Sequence, residues 1–350
     1  MSKFKKHHNH IEKIEKDNIT KSNIPTKETM FNTKIVLGLL LASVFLNAGL
    51  FYSLSSDKKD GEEAQETLST NFEKYNLISK RIFVEDPNDV IINFVPLRKA
   101  LKAYAEAQKG TLGIYFEYLP SGISVGVNDR EEVKLASLSK VPLAMSVLKK
   151  IEKGDMSLTD IIEITKEDLD TNFGDLWKRG EGTKLTVEEL LKASLISSDN
   201  TAYNVLFRMV SAREVTEVYD NLEIEVASKE TEPSISPKSF SSIFRSLYLA
   251  SYLSREDSNY LLDILTKTVF KDKIPAGVPE GVLVAHKIGV FSRIDSSKKL
   301  FSDCGIVYFP KRPYILCVFV SDTDEQAQKH IKYISNMIYK YLEVVKGGGE

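Results

Sequence analysis

The sequence predicts an α/β chain of the α+β kind: an antiparallel sheet built from both chain ends of a folded domain, packed against helices, with a mainly helical subdomain in between. Three observations predict it. Strand-like runs open and close the segment 86–350, helical and loop stretches fill its middle, and the segment ends on one long amphipathic helix. At 350 residues, with 42% hydrophobic and 27% charged residues, the chain is long enough to bury one large core or two small ones, and too apolar to be disordered overall.

The N-terminal part stands apart from that domain. Residues 1–34 form a basic tail with eight lysines against four acids. Residues 35–54, IVLGLLLASVFLNAGLFYSL, carry no charge and are about long enough to cross a bilayer as a helix. The stretch that follows leans acidic. The lysine bias therefore places the N-terminus in the cytoplasm and the domain outside, as a single-pass protein of the cell membrane. A cleaved signal peptide or a buried core helix are the other readings; the long leader and the lack of a small-x-small cleavage site favour an uncleaved anchor. Residues 55–85 are polar and partly helical in pattern, consistent with a stalk. The HHNH cluster at residues 7–10 reads as a solvated tail rather than a metal site.

Within the domain, FVPLRKALKAYAEAQKG reads as an amphipathic helix ended by Gly110. TLGIYFEYLP and ISVGVN read as two strands joined by the turn LPSG. LASLSKVPLAMSVLKK, residues 135–150, is an apolar helix with Pro142 near its start, where proline is tolerated. Further helical stretches include LTVEELLKASLI and SPKSFSSIFRSLYLASYL. The chain closes with the strand-like runs GVLVAHKIGVF, DCGIVYFP and PYILCVFVSD and the helix DEQAQKHIKYISNMIYKYLEVV. Strands at both ends imply one shared sheet, and a cleft where it meets the helical part.

Composition narrows the function. A formal net charge of −2 gives no reason to expect nucleic-acid binding. Of five histidines only His286 and His330 fall in the folded part. With two cysteines in the whole chain, this argues against a structural zinc site or a Ser-His-Asp triad. No metal or other cofactor is expected, and catalysis needs another base.

Ser137 and Lys140 offer one. They stand one helical turn apart on the same face, within hydrogen-bond reach. The free N–H groups and positive dipole of a first turn favour an oxyanion and a serine alkoxide. Serine-x-x-lysine also occurs at Ser2, Ser55, Ser56, Ser146 and Ser296, so the spacing alone is weak; what distinguishes Ser137 is the apolar helix that begins there. A lysine activates serine only when neutral, so burial and a neighbouring cation must lower its pKa. Downstream lie SDN at Ser198, Asp199 and Asn200, and HKIG with Lys287 and Gly289 on a run that reads as an edge strand. Singly these have plainer readings: SDN as a helix N-cap, with Asp199 structural, and Lys287 as a charge guarding an edge.

In this order and spacing the three motifs resemble the penicillin-recognising serine hydrolases, specifically their class A β-lactamase-like branch, over roughly residues 90–345. GTKLTVEELLKASLISSDNTAYNVL and CGIVYFPKRPYILCVFVSD support it. The resemblance implies a β-lactamase/transpeptidase-like fold in which Ser137 attacks an amide carbonyl and is acylated, with Lys140 as proton acceptor. It implies that Ser198 relays a proton to the departing nitrogen. Asn200 would bind the substrate's side-chain amide and position Lys140, and Lys287 in its strand with Gly289 would meet the substrate carboxylate. The backbone N–H groups of Ser137 and Val290 would form the oxyanion hole, a device worth a few kcal/mol. The implied substrate is a β-lactam or a D-alanyl-D-alanine-like peptide. β-Lactamase-like hydrolysis is the first reading. A D-alanyl-D-alanine carboxypeptidase or slow penicillin-binding protein, and an inactive cell-wall-binding protein, are the alternatives.

Two departures stand out. Ile288 occupies a position where the family carries a hydroxyl that contacts the substrate carboxylate. The stretch from Val210 to Pro237 is short and lacks the glutamate-x-x-leucine-asparagine pattern whose glutamate activates the deacylating water. Glu223, Glu225, Glu230 and Glu232 are the nearby candidates. The resemblance places the loop TNFGDLWKRGEGT at the cleft rim, where Trp177 either stacks on substrate or packs under the loop. Cys304 and Cys317 lie on two strands expected to pair as a hairpin around FPKRP. A disulfide and two buried thiols both fit, because a register shift of one residue sends the pair to opposite faces.

Overall fold

The computed structural model describes residues 75–79, 92–226, 233–292 and 299–347. The chain divides into two units, 1–71 and 72–350, and the described residues belong to the second. The expected basic tail and membrane helix lie outside the described residues; among those described, no helix is long and apolar enough to cross a membrane. Residues 75–79 fall inside the expected stalk, yet they pack on the folded unit. Leu77 and Ile78 are buried, the Leu77 N–H donates to Asn259 Oδ1 at 3.1 Å, and Tyr308 Oη donates to the Leu77 carbonyl at 2.9 Å. Two apolar residues in a polar stretch show no periodicity, so only their packing reveals them as core.

The folded unit opens with α1 (Val95–Glu106), whose Leu97, Leu101 and Ala105 recur every fourth residue and form its buried stripe. The strands β1 (Thr111–Tyr118) and β2 (Ile123–Val127) follow as a hairpin. At the other end come β7 (Val284–Ser292), β8 (Lys299–Val307), β9 (Tyr314–Asp322) and α8 (Asp324–Gly347). Together the strands make a five-stranded antiparallel sheet of order β2-β1-β9-β8-β7, so the two chain ends meet at the β1–β9 pair and β7 is an edge.

Side-chain alternation divides the sheet between two cores. Tyr115, Ala285, Ile306, Ile315 and Phe319 face the helical side, whereas Leu112, Ile114, Phe116, Val318 and Val320 face α1 and α8. The helical side is built from α2 (Lys140–Glu152), α3 (Val187–Ile196), α4 (Asn200–Met209), α5 (Ala212–Asn221), α6 (Pro237–Leu249) and α7 (Arg255–Thr266). Short ladders pair β3 (Val133–Lys134) with β6 (Ser234–Ile235), and β4 (Ile161–Glu163) with β5 (Lys184–Thr186). The local sequence sets most helix starts: Thr186 with Glu189 and Ser211 with Glu214 form capping boxes, and Ser236 caps α6 ahead of Pro237. Residues Lys140 to Leu148 of α2 are all buried, which marks it as the central helix, enclosed on every side.

Polar contacts also tie the layers together. Arg245 of α6 donates to Glu117 of β1 through Nε at 2.7 Å and through Nη2, and Tyr115 Oη donates to the same buried carboxylate at 2.9 Å. Cys304 and Cys317 are direct partners in the β8–β9 ladder and are joined by a disulfide, which settles the register that the sequence left open.

Candidate active site

The serine segment is a tight 3-10 turn, Ala136–Ser139, that runs straight into α2; Ser137 thus sits just ahead of the helix rather than within its first α-turn, and Lys140 is the first residue of α2. Ala136 holds φ at 45°, a left-handed conformation that non-glycine residues seldom adopt and that concentrates at functional sites. Strand β7 passes close by. A Cβ at Gly289 would lie 3.2 Å from the Leu135 carbonyl oxygen and 2.5 Å from Ser302 Oγ, so only glycine lets the strand approach the turn this closely.

Ser198, Asp199 and Asn200 form the junction between α3 and α4. Ser198 has φ 58°, a second left-handed residue in the segments that carry the site. Asp199 caps α4 by accepting from the Ala202 N–H at 3.0 Å, and its other oxygen accepts from the Leu176 N–H at 2.8 Å. These two bonds fix the junction in place. The Asn200 N–H donates to the Phe173 carbonyl at 2.9 Å, so the loop before α3 and the start of α4 are fastened together.

These elements converge on two lysines. Lys140 Nζ lies 3.1 Å from Ser137 Oγ, 2.7 Å from the Ser198 carbonyl oxygen, 3.2 Å from Ser198 Oγ and 2.7 Å from Asn200 Oδ1. Lys287 Nζ donates to the same Ser198 Oγ at 2.8 Å and to the Ile288 carbonyl at 3.1 Å. Lys140 is 2% exposed, Lys287 1% and Ser198 1%. Burial disfavours the ammonium and brings Lys140 down to about 8, against the opposing pull of Asp199 and Asp170. Lys287 is lowered well below the usual lysine value by burial and by the neighbouring Lys140, with Asp303 opposing. A neutral amine 3.1 Å from a serine hydroxyl is thereby accessible near neutral pH.

Ser137, Lys140, Ser198, Asn200 and Lys287 thus form one cluster, and Gly289 brings its strand against the serine turn. Val290 is half-buried on the edge strand β7. Ile288 is 3% exposed and pairs with Asp303 of β8; it offers the site no hydroxyl. Behind it His286 Nδ1 and Asp303 Oδ1 lie 2.7 Å apart, both fully buried. Glu223 and Glu225 are exposed in the turn after α5, while Glu230 and Glu232 lie outside the described residues. Trp177 is half-buried in the 3-10 turn Leu176–Arg179, with Lys178 Nζ 5.9 Å from its ring.

Three residues at the site carry no sequence signal. Phe173, 38% exposed, meets Phe270 at 5.9 Å between ring centres, and the Phe270 ring lies 5.8 Å from Lys287 Nζ. Asp170 bonds to Asn200. Each lies far along the chain from the motif it touches, and no spacing rule links them.

A half-buried serine against a buried lysine, a second serine between two lysines, and an edge strand packed close to the serine turn define a penicillin-recognising serine hydrolase. The chain belongs to the β-lactamase enzyme family, whose model matches residues 96–342. It is 28% identical to β-lactamase 3 of Bacillus cereus over 263 residues, covering 70% of this chain and 81% of that one. It is 27% identical to a β-lactamase of Bacteroides uniformis over 268 residues, covering 69% and 90%. A β-lactamase structure from Chitinophaga pinensis superimposes with a TM-score of 0.64 at 25% identity, covering 71% of this chain and 98% of that one. The structure of PBP-A shares the fold, with a TM-score of 0.66 at 24% identity and coverage of 71% and 97%. The chain is a β-lactamase-like serine hydrolase.

Proposed function

We propose that the chain opens β-lactams through an acyl-enzyme on Ser137. The observation that carries this reading is the 3.1 Å approach of the buried, pKa-lowered Lys140 amine to Ser137 Oγ. Neutral Lys140 takes the Ser137 proton as Oγ bonds to the lactam carbonyl carbon. The resulting oxyanion is held by the backbone N–H groups of Ser137 and Val290. As the C–N bond breaks, Ser198 gives its proton to the nitrogen and is resupplied by Lys140, which its hydroxyl already touches. Asn200 takes the substrate's side-chain amide and Lys287 its carboxylate. Ile288 removes a hydroxyl from that carboxylate pocket, so Lys287 carries more of its recognition. Water then adds to the acyl carbon, the ester bond to Ser137 breaks as one water proton returns to Ser137 Oγ, and the opened acid leaves.

The same reading gives the chain a cytoplasmic tail over residues 1–34, an anchor over 35–54 and a catalytic domain on the outer side of the membrane. The uncharged run and the lysine excess before it support this.

Intact-mass spectra of the full chain mixed with benzylpenicillin test the chemistry. The expected result is an adduct of one penicillin mass that forms on the wild type and is absent from Ser137→Ala. An adduct of equal yield on Ser137→Ala would overturn the assignment of the nucleophile.

A further inference from the structure

The Asn200 amide is held at both ends. Its Oδ1 accepts from Lys140 Nζ at 2.7 Å, and its Nδ2 donates to Asp170 Oδ1 at 3.2 Å. The oxygen and nitrogen ends of an amide are nearly equal in shape, so hydrogen-bond partners decide which way it points. An ammonium only donates and a carboxylate only accepts, and between them the amide has one orientation.

Asp170 is itself fixed in place. Its N–H donates to Thr201 Oγ1 at 3.0 Å, Thr201 Oγ1 lies 3.3 Å from its carbonyl oxygen, and the Asn172 N–H donates to its Oδ1 at 2.7 Å. Two residues earlier Asp168 accepts from Arg208 Nε at 3.1 Å and Nη2 at 2.9 Å. Thr201 and Arg208 both belong to α4, whose first residue is Asn200. The carboxylate and the amide it orients are therefore mounted on one rigid piece.

We infer that Asp170 is a positioning residue of the acyl-transfer site: it holds the Asn200 amide with its carbonyl toward Lys140 and places a negative charge one amide away from the lysine amine. The inference rests on the reading of Lys140 as the base for Ser137. Lys140 is surrounded by Ser137 from the 3-10 turn, Ser198 and Asp199 from the junction, Asn200 and the Tyr203 ring (5.7 Å away) from α4, Lys287 from β7, and Asp170 from the loop before α3. Burial favours the neutral amine; Asp199 and Asp170 favour the ammonium. As Lys140 takes the Ser137 proton it becomes an ammonium, and the Asp170 charge then stabilises what forms. Losing that charge makes Lys140 neutral at lower pH and a weaker base.

The test is the rate of adduct formation with benzylpenicillin from pH 6 to 10, read by intact mass on the full chain as wild type, Ser137→Ala, Asp170→Asn, Asp170→Ala and Asp170→Glu. Asp170→Asn keeps an acceptor for Asn200 Nδ2 and removes the charge. Its rising limb is expected to move about 0.5–1 unit toward lower pH, and its plateau to fall roughly two- to threefold. Asp170→Ala, which also frees the amide, falls further at every pH with the limb moved in the same direction, and Asp170→Glu restores the wild-type limb. The neutral variants share the lost charge, so whichever of them keeps a wild-type thermal melt decides. A limb that stays at the wild-type pH in a folded neutral variant, while Ser137→Ala forms no adduct, overturns the role of Asp170 and leaves the nucleophile standing. An adduct on Ser137→Ala overturns the reading beneath it.

Discussion

Lys140 pays for its position with protein stability. The unfolded chain holds a lysine proton to the usual 10.5, whereas the folded chain releases it at about 8. Between those values the unfolded state binds more protons, so stability rises with pH through the window and is lost again as pH falls through 8. Lys287 acts in the same sense. Above pH 10 buried tyrosines such as Tyr314, whose hydroxyls are pushed up, reverse the slope. The urea midpoint of the wild type is therefore expected to climb from pH 8 to 10, and Lys140→Met to remove about half of that climb, with Lys287 supplying the rest. An unchanged slope in the variant would show that Lys140 is not the titrating group. At this scale the motifs made Ser137, Lys140, Ser198, Asn200 and Lys287 legible in the sequence, because each is fixed within a few residues of a recognisable local pattern. Asp170, Phe173 and Phe270 were not legible. Their meaning comes from partners well outside any local motif, at Asn200 and Lys287, and from a loop path that no periodicity encodes.

Among the elements, the seam between β1 and α6 carries one ion pair whose carboxylate is buried and whose guanidinium is half-buried. Glu117 is buried, and Arg245 with Tyr115 supplies its hydrogen bonds. Removing the cation alone leaves a buried carboxylate without its counter-charge. Arg245→Met is expected to cost about 3 kcal/mol by denaturant titration, and Glu117→Leu combined with Arg245→Met to recover most of it. A double variant as weak as the single one would mean that packing volume, rather than charge, holds the seam. Strand and helix positions at this scale followed from alternation, helix periodicity and capping residues. The register of β8 against β9 did not. Both faces of those strands are buried, so their apolar patterns tolerate a one-residue slip, and only the assembled ladder set Cys304 opposite Cys317.

For the whole molecule, the proposed anchor predicts where the enzyme is found. In bacterial cells expressing the full chain, the protein is expected in the carbonate-resistant membrane fraction with its catalytic domain open to external protease, and deletion of residues 35–54 is expected to release it. A deletion that leaves fractionation unchanged would remove the anchor from the reading. The folded unit also reaches further toward the N-terminus than composition suggests, since Leu77 and Ile78 are buried in its core. By itself the sequence determined the class of fold, the order of its elements, the serine–lysine pair proposed as nucleophile and base, and the family, because these depend on local periodicity and on short motifs in a set order. Tertiary structure alone decided which carboxylate orients Asn200, which aromatic rings lie beside Lys287, and how far burial lowers the two lysines. Those properties depend on distances and on exclusion of water, and both come into being only when the sheet and the helical layer close on each other.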